Sequence, residues 1–126
     1  PYSIFPNKEI RDLCLDSIRR MGLSEKIYEP IRRLSGGQQR RVAIARTMAQ
    51  SPKIILADEF LSELDEKTLE MVKTEVVEFV RKESSTLIVV EHDVSRAKSI
   101  ADRMLVIDDG RVNPFISQIT ALEVKK

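Results

Sequence analysis

At 126 residues the chain is long enough for one modest domain with one small core. Its 42% hydrophobic and 33% charged residues mark a globular chain, not a disordered one. The net charge of +1 gives no drive towards nucleic acid or an anionic membrane, and no nucleic-acid partner is expected.

In chain order, Ile10, Leu13, Cys14, Ile18 and Met21 recur at helical spacing over 7–21, and Gly22 can end that helix. Cys14, the single cysteine, falls in this stripe and reads as a small core residue. Without an internal disulfide partner it fits a reducing compartment. A short helical turn is expected over 24–28, stopped by Pro30. Ser35 precedes a second helix over 37–50, with Val42, Ala45, Met48 and Ala49 on one side and Pro52 closing it. The pairs Arg19-Arg20, Arg32-Arg33 and Arg40-Arg41 read as solvated faces. Residues 1–51 are thus expected to form a small helical subdomain.

The pattern changes at Lys53. Ile54-Ile55-Leu56-Ala57 is a short apolar run, as expected of a strand buried on both faces of a parallel sheet. Asp65 can cap a helix reaching to about Arg81, with Leu69, Val72, Val76, Phe79 and Val80 inward. Thr86-Leu87-Ile88-Val89-Val90 reads as a second buried strand and 94–101 as a short helix. Met104-Leu105-Val106-Ile107 reads as a third strand, and Asp108-Asp109-Gly110 as a tight turn into Arg111-Val112. This alternation over 52–126 is the wound α/β order, with ligands expected at the carboxyl ends of the strands. No apolar stretch approaches the ~18 residues that a membrane span needs.

Three groups of residues carry candidate chemistry. Leu34-Ser35-Gly36-Gly37-Gln38 opens a helix, where two glycines permit close approach and free amides favour an anion. Ser35 can cap that helix or donate its hydroxyl to a phosphate. Asp58-Glu59 ends the first strand, where adjacent carboxylates are costly without a task. Asp58 could hold Mg²⁺ and Glu59 could take a proton from an attacking water, or both could be solvated loop acids. His92, the single histidine, is expected at the same sheet edge, with a structural role as the alternative.

Together these groups resemble the second half of an ATP-binding-cassette (ABC) ATPase domain, a P-loop NTPase. Leu34 to Gln38 matches the LSGGQ signature letter for letter, and Ile54 to Asp58 matches the Walker B strand. Glu59 stands at the position of the catalytic glutamate, Ser62-Glu63-Leu64-Asp65 resembles the D-loop, and His92 the switch histidine. Roughly twenty residues separate signature from Walker B, and roughly thirty more reach the histidine, as in the family; ordered matches of this kind are far more specific than any one alone. Two positions depart from the pattern: Phe60 replaces the usual proline, and Glu91 the usual threonine or serine.

The resemblance implies a partial RecA-like α/β core of mainly parallel strands plus a helical signature subdomain. It implies ATP and Mg²⁺ as ligands, with Ser35, Gly36, Gly37, Gln38, Ser62 and Asp65 binding nucleotide, Asp58 the metal, and Glu59 and His92 catalytic. In the family two such domains close head to tail around two ATP molecules, so the signature and the carboxylates serve different ones. A second ATPase domain and a transmembrane permease are the implied partners. The implied location is cytoplasmic, at the inner face of a membrane.

No Gly-x-x-x-x-Gly-Lys-Ser/Thr loop is present: Gly22, Gly36, Gly37 and Gly110 are the only glycines, and none precedes a lysine. By resemblance, residues 1–6 come just after the Q-loop glutamine. The expectation is a piece of a longer polypeptide or one half of a split domain, inactive alone and in need of an N-terminal P-loop half. ATP-driven transport is the leading function. A soluble ABC ATPase of translation, ribosome recycling or DNA repair is the alternative, and a non-catalytic half regulating another ATPase is a third.

Overall fold

Helix α1 (Lys8–Arg20) begins where the Asn7 side chain accepts from the Glu9 N–H. The structure, a computed structural model, describes residues 7–112. Gly22, at φ +66°, ends α1: its N–H bonds to the Arg19 carbonyl and that of Leu23 to Ile18, a Schellman closure that buries Leu23. Two single 3₁₀ turns, Ser24–Lys26 and Ile31–Arg33, lead to α2 (Gly36–Ala49). Residues 1–6, expected to come just after the Q-loop glutamine, lie outside the described residues.

Strand β1 (Ile54–Asp58) is followed by α3 (Glu66–Lys82), β2 (Thr86–Val90) and α4 (Val94–Ile100). β1 and β2 pair in parallel from Ile54 opposite Thr86 to Asp58 opposite Val90, with α3 as the crossover. Asp65 caps α3 by accepting the Thr68 N–H, and Asp93 caps α4 by accepting that of Arg96. The core lies where α1, α2, α3 and the loop after β1 meet. It comprises Met21, Leu23, Ala45, Met48, Phe60, Leu61, Val72, Val76 and Phe79. Ile55, Ala57, Leu87 and Val89 pack onto it from one face of the sheet.

Several expectations are corrected. The other sheet face is open, with Ile54, Leu56, Ile88 and Val90 exposed, so among the described residues these strands are buried on one side only. The apolar run alone cannot tell one-sided from two-sided burial. Cys14 is exposed, as are Ile10 and Leu13. α1 turns in chiefly through Ser17, Ile18 and Met21, because only its C-terminal half reaches the core.

The third strand is also different. β3 (Ile107–Asp108) pairs antiparallel with β4 (Arg111–Val112) instead of joining β1 and β2. Asp109 and Gly110, both at positive φ, form the tight connection that supplies this local partner. Leu105, Val106 and Ile107 remain exposed.

The arginine pairs are not uniformly solvated. Arg20 is ion-paired with Glu75 at 2.6 Å, and Arg41 Nη1 donates to the Met21 carbonyl. Arg40 reaches the loop after β1. Arg32 and Arg33 are exposed, as expected. Guanidinium forks can satisfy loop carbonyls that no secondary structure pairs.

Candidate functional site

Parallel pairing decides what stands at the carboxyl end of the sheet. Beyond Asp58 the Glu59 N–H continues the ladder, donating to the Val90 carbonyl at 3.0 Å. The next residues on β2's side are Glu91 and His92, so the register delivers His92 to Glu59. His92 Nε2 lies 2.8 Å from Glu59 Oε1, with both side chains open to solvent.

Glu59 sits at φ +44°, a left-handed conformation that costs a non-glycine residue about 1–2 kcal/mol. The next three residues hold it there. Phe60 and Leu61 are buried in the core, and the Ser62 N–H donates to the Glu59 carbonyl at 2.9 Å. Phe60, the departure from the family's proline, is thus a hydrophobic anchor for the turn. Burying a side chain of this kind contributes about 1.5–3 kcal/mol, enough to offset the backbone strain.

Asp58 is exposed at the end of β1. Among the described residues, no group of three or more His, Cys, Asp or Glu side chains is arranged to hold a metal. One carboxylate suits a hard cation whose remaining ligands are phosphate oxygens and water, as Mg²⁺ prefers, and not a closed protein cage.

Glu91, the second departure, is an anchor of the histidine turn that sequence reasoning did not assign. Its side chain is only 4% exposed, and Oε1 accepts from Arg96 Nη1 at 3.1 Å and from the Asp93 N–H at 3.3 Å. Asp93 in turn caps α4, and the hydrogen bond from the Arg96 N–H holds its carboxyl below the usual aspartate range. The clue was in the spacing, since Glu91 and Arg96 flank the helix start.

At the other group, Ser35 and Gln38 form a reciprocal capping box. The Gln38 N–H donates to Ser35 Oγ at 3.3 Å, and Gln38 Oε1 accepts from the Ser35 N–H at 2.9 Å. Ser35 is an acceptor in this cap, and its hydroxyl proton is not used by it. A Cβ at Gly36 would meet nothing within 4 Å, so this glycine answers to no packing demand of the described residues. At Gly37 a Cβ would meet Leu64 Cδ2 at 3.4 Å.

Ser62 and Asp65 lie on the turn between the two groups. Asp65 serves as the α3 cap, and its hydrogen bonds with Thr68 lower its pKa. The structure therefore places all nine candidate residues, joining Glu59 to His92 directly and Ser35 to Gln38 directly. Arg40, which links the two groups, was missed because its double-arginine context looked like a solvated face.

Comparison with known proteins agrees with these motifs. A sequence-family model described as "ABC transporter" matches residues 4–62. The spermidine/putrescine import ATP-binding protein of Pasteurella multocida is 40% identical over 107 residues, covering 85% of this chain and 29% of that protein. The glutamine transport ATP-binding protein of Geobacillus stearothermophilus is also 40% identical over 107 residues, covering 85% of this chain and 44% of its own length. Among solved structures, a dimeric ATP-binding cassette in a post-hydrolysis state, bound to ADP and phosphate, superposes with a TM-score of 0.76 at 34% identity. That match covers 91% of this chain and 50% of the cassette. The chain therefore spans less than half of these two curated relatives and half of that cassette, with the P-loop NTPase α/β fold in common. Likeness along most of its length and a shared fold make this chain similar to part of the ATP-binding-cassette ATPases.

Proposed function

We propose that this segment is the signature and catalytic part of an ATPase that energises transport across a membrane. Residues 1–51 act as the signature subdomain and 52–126 as the C-terminal part of the ATPase core. The observation that carries the reading is the 2.8 Å approach of His92 to Glu59 beside Asp58, at the carboxyl end of two parallel strands. A binding module would have no use for a base held in a strained turn.

In this mechanism Glu59 accepts a proton from the water that attacks the terminal phosphate of ATP, and His92 orients Glu59. Asp58 would hold Mg²⁺, which neutralises phosphate charge when bound. Ser35 donates its hydroxyl, and Gly36 and Gly37 offer close backbone approach, to the ATP of an opposing domain. Gln38 holds Ser35 in place, while Ser62 and Asp65 shape the turn that meets that domain.

The phosphates need a P-loop that none of these 126 residues supplies. A P-loop half, a second ATPase domain and a transmembrane permease are the proposed partners. Their assembly would sit at the cytoplasmic face of a membrane. The curated relatives named for polyamine and glutamine transport favour this over a soluble role. Among the described residues no helix is long and apolar enough to cross a membrane.

The test compares the purified 126-residue chain with the same chain assembled with a P-loop segment. Mg²⁺-dependent ATP turnover is expected only from the assembly. Turnover by the chain alone contradicts the requirement, and no turnover by the assembly contradicts the catalytic reading.

A further inference from the structure

The two groups of candidate residues are joined by one side chain. Arg40 lies on α2, one turn beyond Gly36 and Gly37, and is half-buried. Its Nη1 donates to the carbonyl oxygens of Glu59 at 3.1 Å and Ser62 at 2.7 Å, and to Ser62 Oγ. Its Nη2 lies 3.6 Å from Glu63 Oε2. One guanidinium thus gathers the acceptors at both ends of the turn after β1.

That turn needs holding. Glu59 at φ +44° and Glu63 at φ +60° are both non-glycine residues in the left-handed region. The carbonyl of Glu59 is the one directly attached to the residue proposed as the base, so its orientation sets where that side chain starts. Gly37 closes the same contact from the signature end, its Cα hydrogen facing Leu64 and the Glu63 carbonyl. A methyl group at 37 would be in van der Waals contact with this turn.

We propose that Arg40 is a positioning residue: it locks the signature helix to the Glu59–Ser62 turn, so that a shift of the signature loop is transmitted to the carboxylate. The inference rests on the catalytic reading of Glu59 above. It makes one chain's two contributions, to two different ATP molecules, a single mechanical unit. The Glu63 ion pair is largely exposed and adds little to the lock. Donation to the backbone carbonyls provides it, because these acceptors lie in a turn without ladder partners.

The experiment uses the ATPase assembled with its P-loop segment and three proteins: wild type, Arg40→Met and Arg40→Lys. Methionine keeps the alkyl stem and helix propensity and removes every donor. Arg40→Met is expected to lower kcat by about 10²-fold, the cost of a small misplacement of a catalytic group, with KM for ATP unchanged. Amide exchange at 59–63 should accelerate while that in α2 does not. Arg40→Lys, which keeps a charged donor, should recover part of both effects. If turnover responds to Glu59→Gln but not to Arg40→Met, the positioning role is wrong and the catalytic reading stands. If kcat falls only in proportion to a lost folded fraction, with exchange rising across the whole chain, the role is merely structural. Absence of turnover in wild type overturns both.

Discussion

His92 Nε2 stands 2.8 Å from Glu59 Oε1 because Asp58 and Val90 are paired in register. A slip of one residue in that pairing would turn the side chains of one strand to the opposite face. The contact is therefore a property of the sheet, and the histidine is placed by β2 and the Glu91 anchor. His92 is largely exposed, so it can be changed without disturbing the core. His92→Ala in the assembled ATPase should lower turnover by about 10²-fold and leave the thermal midpoint in place. Full activity in this variant would remove the histidine from the mechanism.

Asp65 gives a prediction in pH. Its hydrogen bonds with Thr68 lower its pKa in the folded state, so the ionised cap favours folding. That stabilisation is fully present above the unfolded pKa, about 3.9, and is lost as pH falls through the lower folded value. Asp65→Ala should therefore lower the thermal midpoint at pH 7, and the gap from wild type should narrow below pH ~4. A gap of equal size at both pH values would mean that the carboxylate charge plays no part in the cap.

The two faces of the sheet should respond differently to substitution. Leu61 is fully buried, and Leu61→Ala should cost about 2–5 kcal/mol in urea unfolding. Leu56 is 77% exposed on the open face. Leu56→Lys should leave the stability of the chain nearly unchanged and reduce its self-association, measured by light scattering, because an exposed apolar face invites contact. If Leu56→Lys unfolds the chain as strongly as Leu61→Ala, the open face is misassigned.

The sequence made the local devices readable. Gly22 after a helical stripe, Ser35 before a helix, and Asp109-Gly110 between apolar runs each act over a few residues, and each stands where its chemistry required. Residues meeting through the fold were harder to read. Cys14 shares the stripe of Met21, yet only the C-terminal half of α1 reaches the core. Met104-Leu105-Val106-Ile107 has the composition of a strand, but composition does not name a strand's partner, and the hairpin turn supplied one. Arg40 looked like surface charge because its acceptors are carbonyls nineteen and twenty-two residues away.

The most direct measurement is steady-state ATP hydrolysis by the ATPase assembled with its P-loop segment, comparing wild type with Glu59→Gln. The amide keeps the size of the side chain and removes the base. With Glu59 as the base, kcat should fall by roughly 10²–10⁴-fold, with ATP still bound and the closed dimer accumulating. Turnover equal to wild type would contradict that role, and Glu59 would then be a solvated acid at the end of a strand.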